Sequence, residues 1–266
     1  MNIVLIGSGN VASVLGRLMT KAGHVITQVY SRKLENAGIL ADELGMHSKS
    51  EISFTNNISS LDLTASLYLL SISDGSLQHI GDWLKLDQQL IVHTAGGVSK
   101  NILQNVSANY GVLYPLQSLH KEMNRIPRIP FLVDGNSANT ISVLYQMAKQ
   151  LSPDVEIADD EMRLKLHLGA IVVNNFTNHL FSLAEAYCIK EKISFPMLMP
   201  LISEVADRLQ YDSPKHLQTG PAIRRDQQTI EKHKQILQLH PQLITVYSVL
   251  TKSIQEFYPA PGTADQ

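Results

Sequence analysis

The chain begins with a stretch that decides its fold, which reads Met1-Asn2-Ile3-Val4-Leu5-Ile6-Gly7-Ser8-Gly9-Asn10-Val11-Ala12. The uncharged apolar run before Gly7 predicts a buried strand of a parallel sheet, because such strands are covered on both faces. The stretch that begins at Val11 predicts a helix that runs to Lys21. We therefore expect a strand, a tight turn and a helix, in that order.

The turn carries the pattern Gly-x-Gly-x-x-Ala, which is typical of dinucleotide-binding sites. Gly7 allows the tight turn, Gly9 lets a phosphate approach the backbone, and Ala12 lets the helix pack on the strand. Free N–H groups at the helix start favour an anion, and Asn10 can cap the helix or contact a phosphate. A glycine turn kept only for packing is the alternative, which the surrounding strand and helix disfavour. We expect these residues to bind the cofactor: Gly7, Ser8, Gly9, Asn10, Val11 and Ala12.

The second predicted strand, Val25 to Tyr30, indicates which nucleotide binds. It is followed by Ser31-Arg32-Lys33 and lacks the Asp or Glu that usually binds the ribose 2′-hydroxyl of NAD. A hydroxyl followed by two cations suits a 2′-phosphate, which Arg32 can hold with its planar guanidinium group. The sequence therefore predicts NADP(H), bound by Ser31 and Arg32. A solvated basic helix start is the alternative.

Strands and helices alternate through the first part of the chain, which predicts a Rossmann-like, doubly wound, mainly parallel α/β sheet. Ligands of such sheets lie beyond the carboxyl ends of the strands. Ser71, Ser73 and Thr94 follow two of these ends, so we expect them at the cofactor site, where the Thr94 hydroxyl could also orient a substrate. A helix from Ser76 to Leu84 is expected next, with Asp74 as its N-cap.

From Asp159 onward only helical patterns occur, which indicates a second, all-helical domain. We place the boundary near Pro153, with residues 1–153 as an NADP-binding Rossmann domain and residues 154–266 as a helical substrate domain. A long helix from Asp159 to Glu191 is expected to open the second domain. The tail from Pro259 is expected to be frayed.

The hydrophobic content, net charge and cysteine count exclude several classes of protein. The 266 residues are 44% hydrophobic and 17% charged, which is enough for a sizeable core. A net charge of −2 argues against a general nucleic-acid or anionic-membrane binder. The single cysteine, Cys188, gives neither a disulfide framework nor a zinc cluster, and we expect no metal site. With no room for a cleavable signal and no apolar run long enough to cross a bilayer, a cytoplasmic location is expected.

Polar side chains interrupt the apolar long helix at helical spacing. Burying them costs free energy unless they find partners. Two explanations stay open: they contact nicotinamide and substrate in a cleft, or they form hydrogen bonds between helices. In the first case Asn174 and Asn178 bind substrate, Asn175 positions it, and His167 donates a proton to the reduced carbonyl, since imidazole exchanges protons near neutral pH.

The segment Thr219-Gly220-Pro221-Ala222-Ile223-Arg224-Arg225 is a second candidate for ligand binding. The Gly-Pro pair predicts a turn, and a helix from Pro221 to His233 should follow it. The helix start and the arginines favour an anion, so we expect Arg224 to bind a substrate carboxylate. A solvated helix start is an equal alternative.

The assembled motifs resemble a known family. They are the glycine loop, Ser31-Arg32, His93-Thr94-Ala95-Gly96, Tyr114-Pro115-Leu116-Gln117-Ser118, Asn174-Asn175-Phe176 and Thr219-Gly220-Pro221-Ala222. Over nearly the whole chain they look like the NADP-oxidoreductase-like family, which joins a Rossmann-like domain to a helical domain of unknown function. Its superfamily includes ketopantoate reductase, pyrroline-5-carboxylate reductase and 6-phosphogluconate dehydrogenase. The resemblance implies a dinucleotide in the first domain, a small-molecule substrate contacted by Gln117, and a homodimer formed through the helical domain.

One departure from the superfamily bears on the chemistry. β-Hydroxyacid dehydrogenases and ketopantoate reductase carry a proton-transferring lysine four residues before an asparagine of the long helix, where this chain has Ala170 and Ile171. Lys165 is too far back to replace it, so either His167 or a bound water molecule transfers the proton, or the chemistry is different. Our first hypothesis is an NADP(H)-dependent oxidoreductase that reduces a small carbonyl or imine, such as a ketopantoate-like oxo acid. The alternative is an NADP(H)-binding sensor without turnover.

Overall fold

The computed structural model describes residues 1–48, 51–123 and 125–258, and within these ranges the N-terminal part forms an eight-stranded sheet. The strands are β1 (Asn2–Ile6), β2 (Val25–Tyr30), β3 (Ser53–Thr55), β4 (Leu67–Leu70), β5 (Leu90–His93), β6 (Asn109–Pro115), β7 (Phe131–Gly135) and β8 (Val155–Ile157). Their order across the sheet is β3-β2-β1-β4-β5-β6-β7-β8. Only β6 and β7 pair antiparallel among these described strands. The predicted mainly parallel, Rossmann-like fold is confirmed.

The first strand shows why the sheet is covered on both faces. Ile3 and Leu5 pack into one hydrophobic cluster, whereas Val4 and Ile6 pack into another. All four side chains have 0% exposure, and each stabilises the fold by about 1.5–3 kcal/mol relative to an exposed side chain. Because alternate residues of a strand point to opposite faces, an unbroken apolar run requires two packed layers.

Helices connect these strands. They are α1 (Asn10–Lys21), α2 (Leu34–Ser48), the short α3 (Asp74–Leu77) and α4 (Ile80–Trp83), and α5 (Ala138–Leu151). The single helix expected from Ser76 to Leu84 is wrong, since α3 and α4 are separate. Asp74 is also not the N-cap: the Ser73 side chain accepts a hydrogen bond from Ser76 N, and Asp74 is the first helical residue.

The long helix expected from Asp159 to Glu191 has a π-helical interruption. It consists of α6 (Asp160–Ala170), a π-helical segment (Ile171–Phe176) and α7 (Thr177–Glu191). Asp159 is the N-cap, and its carboxylate accepts from Met162 N at 2.8 Å. This contact satisfies one of the unpaired N–H groups at the helix start.

The remaining helices are α8 (Met199–Arg208), α9 (Pro214–Leu217), α10 (Gln227–Leu237) and α11 (Pro241–Phe257). The helix expected from Pro221 to His233 starts later than predicted. Arg225 has a φ of 55°, in the left-handed region, and Asp226 then caps α10 by accepting from Thr229 N. A left-handed residue cannot continue a right-handed helix, so α10 begins only at Gln227. The tail from Pro259 lies outside the described residues.

Contacts along the chain define two compact units, Met1–Asn174 and the described part of Asn175–Gln266. Since β8 pairs with β7, the sheet continues past the expected boundary near Pro153. The roles assigned to residues 1–153 and 154–266 stay predictions. Within the described residues, no helix is both long and apolar enough to cross a bilayer. The same ranges contain no group of three or more His, Cys, Asp or Glu placed to hold a metal ion.

Candidate functional site

The glycine turn lies between β1 and α1, at the carboxyl ends of the strands. Gly7 has a φ of 119°, which favours glycine, and its N–H donates to Tyr30 O at 2.8 Å. A Cβ on Gly7 would lie 2.2 Å from the Ser71 carbonyl oxygen. Both the backbone conformation and the lack of space therefore require glycine here.

Gly9 leaves the start of α1 open. It is the N-cap residue, no side chain caps the helix, and a Cβ on Gly9 would meet nothing within 4 Å. Because the first N–H groups of a helix lack intrahelical partners, those of Asn10 and Val11 are available to an anion. The Asn10 side chain is partly engaged, since its Oδ1 accepts from Lys121 N at 3.2 Å. Ala12 is fully buried, as close packing of α1 on the sheet requires.

A cleft of about 930 Å³ lies beside the glycine turn. The turn, the end of β2 and the segment after β4 line it. The Ser8 hydroxyl donates to Ser31 Oγ at 2.8 Å, which joins the turn to the end of β2. Arg32 and Lys33 also line the cleft; both are exposed, and neither forms an ion pair with another described residue. The cleft therefore carries two cations that form no ion pair within the described part of the chain, where the sequence predicts a 2′-phosphate.

Two aromatic side chains line the same cleft. The rings of Tyr30 and Trp83 stack with centroids 6.0 Å apart and an interplanar angle of 25°. Such a pair offers apolar surface for a flat heterocycle. Ser71 and Ser73, both expected at the cofactor site, also line the cleft. Trp83 was not expected here from the sequence, because no fixed spacing relates it to the glycine turn.

Thr94 follows β5, but its hydroxyl is engaged within the sheet. The hydroxyl donates to Leu70 O at 3.2 Å, and the residue is buried. It therefore has only acceptor capacity left for a ligand. Its expected contact with cofactor or substrate stays a prediction.

A tyrosine and a histidine meet beside the loop that follows β5. Tyr114, near the end of β6, places Oη 2.8 Å from His167 Nδ1 of α6. A Cβ on Gly96 would lie 2.7 Å from that nitrogen and 2.9 Å from Tyr114 Cζ, so the pair fits only against a glycine. Burial raises the pKa of Tyr114, and the nearby Arg163 charge opposes this rise. His167 was expected at the site, but Tyr114 was known only as part of a strand-end motif, and no pattern in the sequence pairs it with His167.

A buried cation lies under this region. Arg163 is 1% exposed, and its Nη2 donates to Val98 O at 2.5 Å and to Asp160 Oδ1 at 2.7 Å. Its Nε and Nη1 have no hydrogen-bond partner among the described residues. His93 is also fully buried, and its Nδ1 accepts from Ala95 N at 3.2 Å. Burial lowers the pKa of His93 to about 4, and the Arg163 charge adds to this effect. His93 is thus neutral at physiological pH.

Arg163 was not expected from the sequence, because a single Arg in a helical pattern is typical of a solvated face. Its contact with Val98 joins α6 to the loop after β5 across 65 positions of the chain. Asp160 reinforces the same loop: it accepts from the Ser99 hydroxyl and, at 3.2 Å, from Lys100 N. Together these contacts hold the loop that contains Gly96.

Two residues of the first unit that were expected to bind substrate, Gln117 and Asn174, both lie next to Ser118. Asn174 lies in the π-helical segment, and its Nδ2 donates to Ser118 Oγ at 2.9 Å. Gln117 is engaged in its own loop, since its Oε1 accepts from Ser118 N and its Nε2 donates to Arg128 O. Segments of π-helix frequently mark functional sites. The assignment of Gln117 and Asn174 to substrate binding stays a prediction.

The other expected residues belong to the second unit. Asn175, Asn178 and Arg224 are all exposed there, and none of their side chains has a hydrogen-bond partner among the described residues. Arg225 differs from Arg224: its Nη2 donates to Gln255 O at 2.8 Å and therefore supports the end of α11. The catalytic assignment of Asn175 and the substrate assignments of Asn178 and Arg224 stay predictions.

The sheet and its cleft define the class of Rossmann-like proteins that continue into a helical region. Residues 129–254 match the model of a family described as a domain of unknown function, DUF2520. The candidate NADP oxidoreductase BF3122 from Bacteroides fragilis is 35% identical, with 96% of this chain and 98% of that chain covered and a TM-score of 0.86. The chain therefore belongs to the NADP-oxidoreductase-like family, which joins a Rossmann-like domain to a helical domain.

Two more distant structures share the fold. Protein TM1727 from Thermotoga maritima is 19% identical, with 96% of this chain and 97% of that chain covered and a TM-score of 0.68. The 1-pyrroline-5-carboxylate reductase from Streptococcus pyogenes is 15% identical, with 96% and 98% covered and a TM-score of 0.65. No curated protein matches the chain.

Proposed function

We propose that the protein is an NADP(H)-dependent oxidoreductase that reduces a small carbonyl or imine. One observation carries the proposal: the glycine turn leaves the N-terminus of α1 open beside a cleft that carries Arg32 and Lys33, neither of which pairs with a described acidic residue. Phosphate groups bind at such helix starts because free N–H groups and the helix dipole favour an anion. The relationship to a candidate NADP oxidoreductase supports the same conclusion.

The residues of the cleft fit NADP(H) along its length. Gly9 leaves room for the pyrophosphate at the α1 amides, where a side chain would intrude. Ser31 and Arg32 would hold the 2′-phosphate, and the stacked rings of Tyr30 and Trp83 provide apolar surface for adenine. When bound, the nicotinamide supplies the hydride.

Arg32 gives the sharpest test of cofactor choice. An arginine that pairs with a phosphate contributes about 1.5–3 kcal/mol, so Arg32→Ala should weaken NADPH binding by about 10- to 100-fold. Binding of NADH, which has no 2′-phosphate, should change less than threefold. Isothermal titration calorimetry measures both affinities, and Arg208→Ala serves as a control at another exposed arginine. Equal losses for NADPH and NADH would contradict the assignment of the 2′-phosphate to Arg32.

His167 is the proposed proton donor. Its Nε2 makes no hydrogen bond with a described residue and is not closed off from solvent, whereas Nδ1 is held by Tyr114. In the reaction, Nε2 would give a proton to the carbonyl oxygen or imine nitrogen. His167→Gln should therefore lower turnover by about 100-fold while leaving NADPH affinity unchanged. The substrates to assay are ketopantoate, related oxo acids and cyclic imines.

A sensor without turnover is the second candidate, because Ala170 and Ile171 occupy the positions where related dehydrogenases carry a lysine. The two functions predict different results in the same assay. Oxidation of NADPH with any oxo acid or imine, lost in His167→Gln, would exclude the sensor. NADPH binding without turnover on the whole panel would exclude the reductase.

We also propose that two copies associate through the second unit. Leu201, Val205 and Leu209 repeat every four residues on and just after α8 and are 64%, 65% and 50% exposed, while α8 buries no side chain. A large exposed apolar stripe of this kind marks an interaction surface. Val205→Asp should convert a dimer into a monomer in light scattering, and Ile39→Asp, on exposed α2 surface, should not. A wild-type monomer would contradict this assignment.

A further inference from the structure

Tyr114 and His167 form a hydrogen-bonded pair whose geometry is closely constrained. Their rings meet edge to face, with centroids 5.8 Å apart and an interplanar angle of 79°. Tyr114 is only 9% exposed, and His167 is the hydrogen-bond partner of its hydroxyl among the described residues. Gly96 packs directly against the pair, since a Cβ at this position would lie 2.7 Å from His167 Nδ1. The imidazole therefore has little freedom to turn away from the phenol.

The direction of the hydrogen bond follows from the available acceptors. A phenol hydroxyl has one proton to donate, and His167 Nδ1 is its partner among the described residues. We assign Tyr114 as the donor, because no other described residue offers its hydroxyl an acceptor. A donor at Oη means that Nδ1 carries no proton. The proton of the neutral imidazole is consequently on Nε2, the nitrogen that remains open to a ligand.

We propose that Tyr114 is a positioning residue that holds His167 with Nε2 protonated and that passes its own proton to Nδ1 when Nε2 gives its proton to the substrate. This inference rests on the proposed reductase function. It explains how a neutral histidine can act as an acid: a neutral imidazole that loses the Nε2 proton becomes an anion unless Nδ1 gains a proton in the same step.

The step balances in atoms and charge. A bound reduced nicotinamide would supply the hydride for the new C–H bond, and the Nε2 proton of His167 would form the O–H or N–H bond of the product. The Tyr114 proton moves to Nδ1, so His167 stays neutral and Tyr114 becomes a phenolate. The positive charge of buried Arg163, which opposes the rise in the pKa of Tyr114 that burial causes, would stabilise this phenolate. The phenolate then regains a proton from solvent through His167.

The first test needs no turnover. Nitrogen NMR of histidine-labelled protein, assigned with His167→Gln, reports which ring nitrogen of His167 carries the proton. We expect an unprotonated, hydrogen-bonded Nδ1 in the wild type and loss of that hydrogen-bond signature in Tyr114→Phe. A protonated Nδ1 in the wild type, or an identical spectrum in Tyr114→Phe, would overturn the inference. The spectrum tests the hydrogen bond whether or not any substrate is turned over. A lack of turnover would count against the proposed reductase function alone.

The second test uses kinetics and a double-mutant cycle. Tyr114→Phe should lower kcat by about 100-fold with NADPH affinity unchanged, and Tyr114→Phe with His167→Gln should lose no more than His167→Gln alone. Tyr110→Phe, which removes a hydroxyl from the opposite end of β6, is the matched control and should keep full activity. Independent, multiplying losses in the double variant would show that Tyr114 does not act through His167.

Discussion

Alanine substitutions at three glycines of the first unit separate folding from nucleotide binding. Gly7 combines a φ of 119° with a Cβ position 2.2 Å from Ser71 O. Gly23 has a φ of 87° but open space around its Cβ position, and Gly9 has an ordinary φ of −87° with open space. Each substitution adds the same methyl group, so the differences report on backbone strain, collision and ligand access separately.

The structure sets the expected magnitudes. Gly23→Ala introduces only backbone strain, which costs about 1–2 kcal/mol. Gly7→Ala adds a collision to that strain, because real Cβ atoms essentially never come within 3.0 Å of another heavy atom and the end of β4 would have to move. We expect a total cost above about 3 kcal/mol. Gly9→Ala should stay within about 0.5 kcal/mol of the wild type, since it introduces neither penalty.

Thermal unfolding followed by circular dichroism measures the first two effects. At about 2–4 °C per kcal/mol, Gly23→Ala should lower Tm by roughly 2–8 °C and Gly7→Ala by more than about 6 °C. Calorimetric titration measures the third effect: Gly9→Ala should weaken NADPH binding by about tenfold or more, because its methyl group occupies the approach to the α1 amides. Gly23→Ala should bind NADPH normally.

Two outcomes would refute this reasoning. Wild-type NADPH affinity in Gly9→Ala would show that the start of α1 is not the phosphate site. A Gly7→Ala protein as stable as Gly23→Ala would show that the contact with Ser71 does not restrict the turn.

Two further predictions concern buried charge. The pKa of His93 is lowered to about 4 in the folded protein, compared with about 6.5 in the unfolded chain. Between these two pH values the unfolded chain binds more protons than the folded protein. The free energy of unfolding should therefore fall by up to about 3 kcal/mol as pH drops through this range. Urea unfolding across the range measures the slope, which should flatten in His93→Gln, and a flat wild-type profile would contradict the prediction. Lys100→Met leaves the buried Asp134 carboxylate without its partner at 2.7 Å and should cost about 2 kcal/mol in the same assay. Lys165→Met breaks an exposed pair with Glu161 and should cost less than about 0.5 kcal/mol, so equal losses would refute the role of burial.

The sequence was informative wherever a local pattern determines the structure. The glycine turn and the apolar run before it predicted β1, α1 and the parallel sheet, because strand burial and tight turns depend on neighbouring residues. The start of the long helix at Asp159 was predicted from local pattern as well, and Asp159 is the N-cap of α6. By contrast, the late start of α10 depends on Arg225, whose left-handed φ accompanies its hydrogen bonds to the end of α11.

The candidate site was predictable only in part, since its contacts join distant positions. His167 could be identified as a titratable group in an apolar helix, but its partner Tyr114 is 53 positions away and lies in a strand. Periodicity shows which face of an element is apolar, yet it does not show which two elements meet. The burial of Arg163 has the same origin, because its carbonyl partner Val98 belongs to another loop.

The stacking of Trp83 on Tyr30 has a practical consequence. Trp83 is the only tryptophan of the 266 residues, and it lines the cleft beside the glycine turn. Its intrinsic fluorescence therefore arises from one known position, and its emission overlaps the absorption of a reduced nicotinamide. Occupancy of the cleft should quench this emission, so the protein carries its own optical reporter of ligand binding and needs no attached dye.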